Sequence, residues 1–108
     1  MRDGFRELVE NGWADVIMPD IKHVGGLTAL VEVIRRAPDR IDISPHNPSR
    51  PIATGASLHA AALSKQATST EIPLITNRKR AYYLPWLSDG CLAVPQGPGW
   101  GVIKHDQV

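Results

Sequence analysis

The chain of 108 residues carries twelve basic and eleven acidic side chains, and 43% of its residues are hydrophobic. This length suits one small domain of globular composition. No basic stripe or polybasic run is present, which disfavours binding to nucleic acid or to an anionic membrane surface. The single cysteine, Cys91, excludes an intrachain disulfide. Because no apolar run approaches the ~20 residues of a membrane span and the amino terminus lacks a signal-peptide core, we expect a cytoplasmic protein.

Helical and strand patterns alternate along the first 76 residues. In chain order, the sequence predicts a helix that ends at Gly12, a strand over 14–18, a helix after Gly25 and Gly26, a strand over 41–44, a helix over 52–63 and a strand over 71–75. From residue 77 the proline and glycine content indicates an irregular tail, with a short strand over 92–94 and a turn over 98–101. The predicted organisation is therefore a set of strand–helix units over 1–76 and a tail over 77–108.

Strands that alternate with helices predict a parallel sheet with right-handed crossovers. Parallel sheets are normally buried on both faces. Three strands with helices on one side would leave one face and two edges open. We therefore expect this chain to be an α/β part of something larger.

Polar side chains stand where the predicted strands end. Asp20 follows the first strand after Pro19, His46 follows the second after Pro45, and Glu71 lies at the head of the third strand or within it. Because the carboxyl ends of the strands form the active-site face of α/β barrels, these three are candidate catalytic residues. An aspartate beside a histidine fixes the imidazole tautomer and makes a general acid–base. A carboxyl group opposite could donate a hydrogen bond to an oxyanion if it is kept protonated.

Each of these residues also has a structural interpretation when it is taken alone. Asp20 after a proline is typical of a turn, and His46 between two prolines is equally typical of a loop. Glu71 after a Thr-Ser-Thr run is typical of a solvated charge or a loop cap. The remaining histidines lack the spacing of metal ligands and are interpreted as surface or packing residues: His23, His59 and His105.

Longer stretches of the chain resemble a known family. The segment 14–20 (ADVIMPD), with the Gly-Gly-Leu-Thr that follows it, resembles the sixth strand region of the mandelate racemase group of the enolase superfamily. The segment 43–59, which contains Pro-His-Asn-Pro-Ser, resembles the seventh strand and its helix. Glu71 falls where the family places the glutamate of the eighth strand, and the segment 95–102 resembles its P-x-G-P-G-x-G-V ending. Within the group, the chain is most similar to acid-sugar dehydratases of the galactonate type.

The resemblance implies an α/β fold: the last three strand units of a (β/α)8 TIM-type barrel, followed by an irregular tail. It implies a lyase or isomerase that removes the proton α to the carboxylate of a sugar acid or α-hydroxy acid, with Mg²⁺ stabilising the enediolate. His46 would be the acid–base, Asp20 its dyad partner, and Glu71 the hydrogen-bonding partner of the substrate carboxylate. Apart from the resemblance, we predict that Asn47 and Arg50, in the same loop as His46, bind the substrate.

The sequence also departs from the family. Arg50 stands where the family usually has a small residue, and the polar segment 64–70 replaces an apolar approach to Glu71. The family's lysine base and its carboxylate ligands for Mg²⁺ have no counterpart in this chain, and a complete barrel needs about 250 residues. We therefore expect the chain to be inactive alone and to associate with the missing barrel half.

Two alternatives stay open beside this hypothesis. In the first, the chain is a non-catalytic truncated remnant that self-associates through its open sheet as a homo-oligomer. In the second, it is a small-ligand binding domain that uses the cleft between Asp20 and His46. The first alternative predicts an oligomer that ignores both Mg²⁺ and α-hydroxy acids.

Overall fold

Helices and short strands alternate along the chain, as the sequence predicts. The computed structural model describes residues 2–72 and 86–101. Within these ranges the elements are α1 (Arg2–Asn11), β1 (Val16–Ile17), α2 (Ile21–Val24), α3 (Leu27–Arg36), β2 (Asp42–Ile43), α4 (Pro51–Ala61), β3 (Leu87–Ser88) and β4 (Cys91–Leu92).

Strands β1 and β2 pair in parallel, which confirms the predicted direction of the first two strands. Val16 lies opposite Asp42 and Ile17 lies opposite Ile43. Both strands are shorter than predicted. Pro19, which follows β1 within two residues, lacks the backbone N–H that would continue the ladder past Ile17.

The hydrophobic core lies between this strand pair and the helices, with α3 in contact with α1, α2 and α4. The side chains that are almost completely buried include two from α3 and two from the second strand region: Leu30, Ile34, Ile41 and Ile43. Full burial of each such side chain stabilises the fold by about 1.5–3 kcal/mol. The core therefore holds α3 against the strands whose carboxyl ends carry the candidate site.

A short helix that the sequence analysis does not predict, α2, follows β1 directly. It ends at Gly25, which has φ 110° and donates its N–H to the carbonyl of Ile21. Gly26 follows with φ 87° and precedes α3. Because a positive φ is readily adopted only by glycine, this pair ends one helix and starts the next within two residues.

The tail forms a small hairpin rather than the predicted single strand over 92–94. Strand β3 pairs antiparallel with β4, and the connecting Asp89 and Gly90 have φ of 50° and 75°, the conformation that tight hairpins favour. The predicted turn over 98–101 is confirmed, since Gly101 donates its N–H to the carbonyl of Pro98 at 3.1 Å.

Two predictions fall partly or wholly outside the described residues. Of the strand expected over 71–75, Glu71 and Ile72 are described and lie in no strand, and the rest falls outside. The boundary expected between 76 and 77 also falls outside. Among the described residues, no helix combines the length and the apolar character needed to cross a membrane.

The burial of α3 predicts unequal effects of the same truncation at two positions of that helix. Leu30→Ala removes a side chain that is 0% exposed, so we expect the free energy of unfolding to fall by about 2–5 kcal/mol. Leu27→Ala, at a position that is 36% exposed, is the matched control and should cost much less. Urea unfolding followed by circular dichroism measures both, and equal losses would contradict this account of the core.

Candidate active site

Asp20 leaves β1 and begins α2, and it uses both carboxylate oxygens. Its backbone is extended, with φ −98° and ψ 122°, and its Oδ1 accepts the backbone N–H of Lys22 at 2.8 Å. Its Oδ2 accepts a second hydrogen bond from Nζ of Lys22, also at 2.8 Å. Only 5% of the residue is exposed. Asp20 is therefore both a turn residue and a site residue, since Oδ1 caps the helix and Oδ2 faces the site.

His46 follows β2 and lies beside Asp20. Its Nδ1 is 3.0 Å from Oδ2 of Asp20, and its side chain is 42% exposed. Because a carboxylate only accepts hydrogen bonds, this contact requires the proton on Nδ1. In the neutral ring the other nitrogen, Nε2, then carries the lone pair. Asp20 thus orients His46 with a basic nitrogen on the side away from the carboxylate.

Glu71, from the segment that follows α4, completes the cluster. Its backbone N–H donates to the carbonyl of Pro45 at 3.3 Å, and its Oε2 accepts the backbone N–H of Asn47 at 2.8 Å. The same Oε2 lies 3.6 Å from Nε2 of His46, beyond hydrogen-bond distance but close enough for an ion pair. The three residues predicted from strand ends are therefore brought together, with His46 between the two carboxylates.

Asn47 was predicted to bind substrate, and the structure places its side chain inside the protein. The residue is 1% exposed, and its amide nitrogen donates to Oγ1 of Thr54 at 2.6 Å and to the carbonyl of Glu71 at 3.3 Å. Asn47 therefore ties the loop after β2 to α4 and to the Glu71 segment. Its role in substrate binding stays a prediction, as do the catalytic roles of the other site residues.

A cleft of about 670 Å³ lies beside the site and is bordered by both Lys22 and Arg50. Arg50 is exposed and precedes α4 as its N-cap residue, and Trp100 from the tail lines the same cleft. The sequence analysis did not single out Lys22. Its position two residues after Asp20 predicts only a backbone hydrogen bond, and only if Asp20 caps a helix; no sequence signal indicates the second bond, from its side chain.

The electrostatics of the site favour an ionised Asp20. Burial raises the pKa of the Asp20 carboxyl, but the hydrogen bonds from the Lys22 side chain and backbone and from His46, together with the Lys22 charge, outweigh it. The pKa of Asp20 is therefore lower than its ordinary value of 3.8. The residue that orients the imidazole is consequently a carboxylate at neutral pH.

Comparison with known proteins gives the chain its relatives. The family model for "Enolase C-terminal domain-like" proteins matches residues 1–107. A D-galactonate dehydratase of Ralstonia pickettii (strain 12J) is 32% identical over 111 residues, which cover 94% of this chain and 29% of the relative. A D-galactonate dehydratase of Ralstonia nicotianae is 31% identical over 108 residues, 91% of this chain and 28% of the relative. That of Cronobacter sakazakii is 35% identical over 69 residues, 62% of this chain and 18% of the relative.

The chain thus spans less than a third of the length of these relatives. No solved structure gives a significant match. Enolase-superfamily members generally use Mg²⁺, yet the described residues contain no group of three or more His, Cys, Asp or Glu side chains arranged to hold a metal ion. The donor set of the described residues therefore does not fit a metal ion.

The lowered pKa of Asp20 predicts a pH-dependent contribution to stability. Because the folded chain binds the Asp20 proton less tightly than the unfolded chain, Asp20 stabilises the fold above its ordinary pKa of 3.8. This contribution disappears as the pH falls through the lower folded-state pKa. The asparagine side chain does not titrate. The free energy of unfolding of Asp20→Asn should therefore decline less steeply on acidification than that of the wild type.

Urea unfolding at a series of pH values measures this difference. Asp39→Asn, which removes an exposed carboxylate outside the site, is the matched control. If Asp39→Asn flattened the acid dependence and Asp20→Asn left it unchanged, the assignment of this stabilisation to Asp20 would be wrong.

Proposed function

The chain belongs to the enolase C-terminal domain-like family, and on that premise we propose that it supplies the acid–base residues of an acid-sugar dehydratase site. The observation that carries the proposal is the line of side chains from Asp20 through His46 to Glu71. The two contacts along it, Oδ2 to Nδ1 and Nε2 to Oε2, measure 3.0 Å and 3.6 Å. Since the chain spans only 29% of the Ralstonia pickettii relative, the activity is proposed for the complete assembly and not for this chain alone.

His46 is proposed as the general acid–base. Its Nδ1 proton is held by Asp20, so Nε2 is the atom that takes or returns a proton. The His46 side chain is 42% exposed, so it is accessible to a ligand. A general acid–base in such a position contributes about 10²–10⁴-fold to the rate. Asp20 is proposed to stabilise the protonated ring after the transfer.

The proposed reaction is loss of water from a sugar acid. The proton α to the carboxylate passes to Nε2 of His46 as the Cα–H bond breaks, and the electron pair of that bond forms the enediolate. The enediolate then collapses to form the α,β double bond as the β C–O bond breaks, and the leaving hydroxyl takes up the proton that Nε2 returns and departs as water. The enol that results tautomerises to the 2-keto acid. The relatives from the two Ralstonia species are D-galactonate dehydratases, which supports this class of reaction and substrate.

Glu71 is proposed to hydrogen-bond the carboxylate of the substrate and the enediolate formed from it. For that role its carboxyl group must carry a proton, because an ionised carboxylate only accepts hydrogen bonds. The backbone N–H of Asn47 holds one oxygen of Glu71, so the carboxyl group is already positioned before substrate arrives. Pre-positioned donors of this kind stabilise developing charge without reorganisation.

A second candidate is a non-catalytic chain that pairs with a copy of itself, and the exposed face of β1 favours it. Val16 and Met18 are 50% and 47% exposed on either side of the buried Ile17, and the nearby Trp13 is 69% exposed. Sedimentation velocity on the 108-residue chain, with and without Mg²⁺ and D-galactonate, separates the candidates. A stable oligomer that binds neither would favour self-association over the enzyme.

The enzyme proposal predicts that His46 is required for dehydration. The test uses a chimera in which this chain replaces the matching segment of the Ralstonia pickettii D-galactonate dehydratase, assayed with Mg²⁺ for the 2-keto acid product of D-galactonate. His46→Asn should lower kcat by about 10²–10⁴-fold, because an amide cannot take up the α-proton. It should also abolish exchange of that proton with D2O.

His59→Asn in the same chimera is the matched control. His59 lies on α4, where its ring contacts Trp100 at a centroid distance of 5.7 Å and its Nδ1 donates to the carbonyl of Gly55, so kcat should be retained. A folded chimera with no dehydratase activity would overturn the proposed function. An active chimera in which His46→Asn is harmless would overturn the role of His46; racemisation of the substrate without loss of water would replace dehydration with isomerisation.

A further inference from the structure

The carboxylate of Asp20 is held from two directions by a single residue. The backbone N–H of Lys22 donates to Oδ1, and Nζ of the same residue donates to Oδ2, each at 2.8 Å. Two hydrogen bonds from one residue to the two oxygens of one carboxylate fix the rotation of the carboxylate plane. They also favour the ionised form of the carboxyl group. Oδ2, the oxygen that faces His46, is therefore also the oxygen that accepts the hydrogen bond from Nζ of Lys22.

The bond from Nζ of Lys22 falls on the same atom as the bond from His46. Oδ2 of Asp20 lies 2.8 Å from Nζ and 3.0 Å from Nδ1. A carboxylate oxygen can accept from both donors, and each donor makes the ionised form more favourable. Lys22 thereby keeps Oδ2 an acceptor, which is the condition for keeping the His46 proton on Nδ1 and the lone pair on Nε2.

Other titratable groups near this oxygen do not replace Lys22. His23 approaches Oδ2 with its Nε2 at 3.9 Å, which is beyond hydrogen-bond distance, and its side chain is 65% exposed. Glu71 faces the opposite nitrogen of His46, at 3.6 Å, and not Asp20. The titratable and charged groups around the Asp20–His46 contact are thus His23 and Lys22 from α2 and Glu71 from the segment that follows α4.

We infer that Lys22 is a positioning residue for the proposed acid–base, acting through Asp20 to fix the tautomer of His46. The inference rests on the proposed function for its catalytic consequence. Its structural content concerns only the three residues that meet at Oδ2. This structural part of the inference can be tested in the 108-residue chain without an assay of enzyme activity.

The first experiment measures the Asp20–His46 contact directly by nuclear magnetic resonance on the 108-residue chain. The ¹⁵N shifts of His46 report which ring nitrogen is protonated, and the ¹³C shift of the Asp20 carboxyl reports its ionisation. In Lys22→Met we expect the Asp20 carboxyl to take up its proton at higher pH than in the wild type, since the side-chain hydrogen bond and the charge of Lys22, which this variant removes, lower the pKa of Asp20. We also expect the Nδ1-protonated fraction of His46 to fall.

Three further variants separate charge, hydrogen bonding and general surface effects. Lys22→Arg retains both the positive charge and a donor and should restore the wild-type shifts, whereas Lys22→Gln retains a donor without the charge and should restore the tautomer more than the ionisation of Asp20. Lys65→Met, at an exposed lysine outside the site, should behave as the wild type. If Lys22→Met loses its fold, the Arg and Gln variants still compare the charged with the uncharged donor.

The second experiment measures catalysis in the chimera. Lys22→Met should lower kcat about tenfold, the size expected for loss of one charge-assisted hydrogen bond, with little change in KM. The acid limb of its rate profile should move to higher pH. A purely structural role would lower activity at all pH values without moving that limb.

The outcomes keep the two proposals apart. Unchanged Asp20 and His46 shifts in Lys22→Met would overturn the inference, whatever the chimera does. Changed shifts together with a folded but inactive wild-type chimera would support the positioning role and overturn the proposed function. Changed shifts with an active chimera whose rate profile ignores Lys22→Met would overturn the catalytic part of the inference alone.

Discussion

Ile17 of β1 lies directly opposite Ile43 of β2, and three residues beyond each of them, just past a proline, stand Asp20 and His46. Parallel strands advance by the same distance per residue, so equal offsets from a paired position bring side chains level. A slip of one residue would displace them by about 3.3 Å and turn one side chain to the other face. The 3.0 Å contact between Asp20 and His46 therefore depends on the register that the buried isoleucines hold.

The segment 66–71, which carries Glu71, also depends on β2 for its position. The backbone N–H of Ile43 donates to the carbonyl of Gln66 at 2.9 Å. The side-chain amide of Gln66 donates in turn to the carbonyl of Ile41 at 3.1 Å and to that of Pro38. These bonds fasten the chain beside β2 five residues before Glu71, whose own N–H then reaches Pro45. The position of Glu71 is thus a consequence of backbone pairing, and its polar approach segment supplies the bonds that hold it.

The sequence was sufficient for the meeting of Asp20 and His46, because strand ends, prolines and chain order are local signals whose spatial outcome follows from parallel pairing. Glu71 joins them although it lies in no strand, through its hydrogen bonds to Pro45 and Asn47. The sequence was not sufficient for two other features. The Lys22 contact depends on α2, a helix of four residues that is too short for hydrophobic periodicity to reveal. The burial of Asn47 was also hidden, since a polar residue in a proline-rich loop resembles a surface residue until its bonds to Thr54 and Glu71 are known.

Asp20 serves the fold through one oxygen and the site through the other, and this division has a chemical consequence. Oδ1 caps α2, while Oδ2 accepts from His46 and Lys22. Asparagine at this position could keep the cap through its carbonyl, but its amide would then point hydrogens at two groups that are themselves donors. His46 could relieve that conflict by moving its proton to Nε2, which would leave the nitrogen facing Glu71 as a donor instead of a base. The charge of Asp20, rather than its hydrogen-bonding capacity alone, therefore determines which nitrogen of His46 is available to abstract a proton.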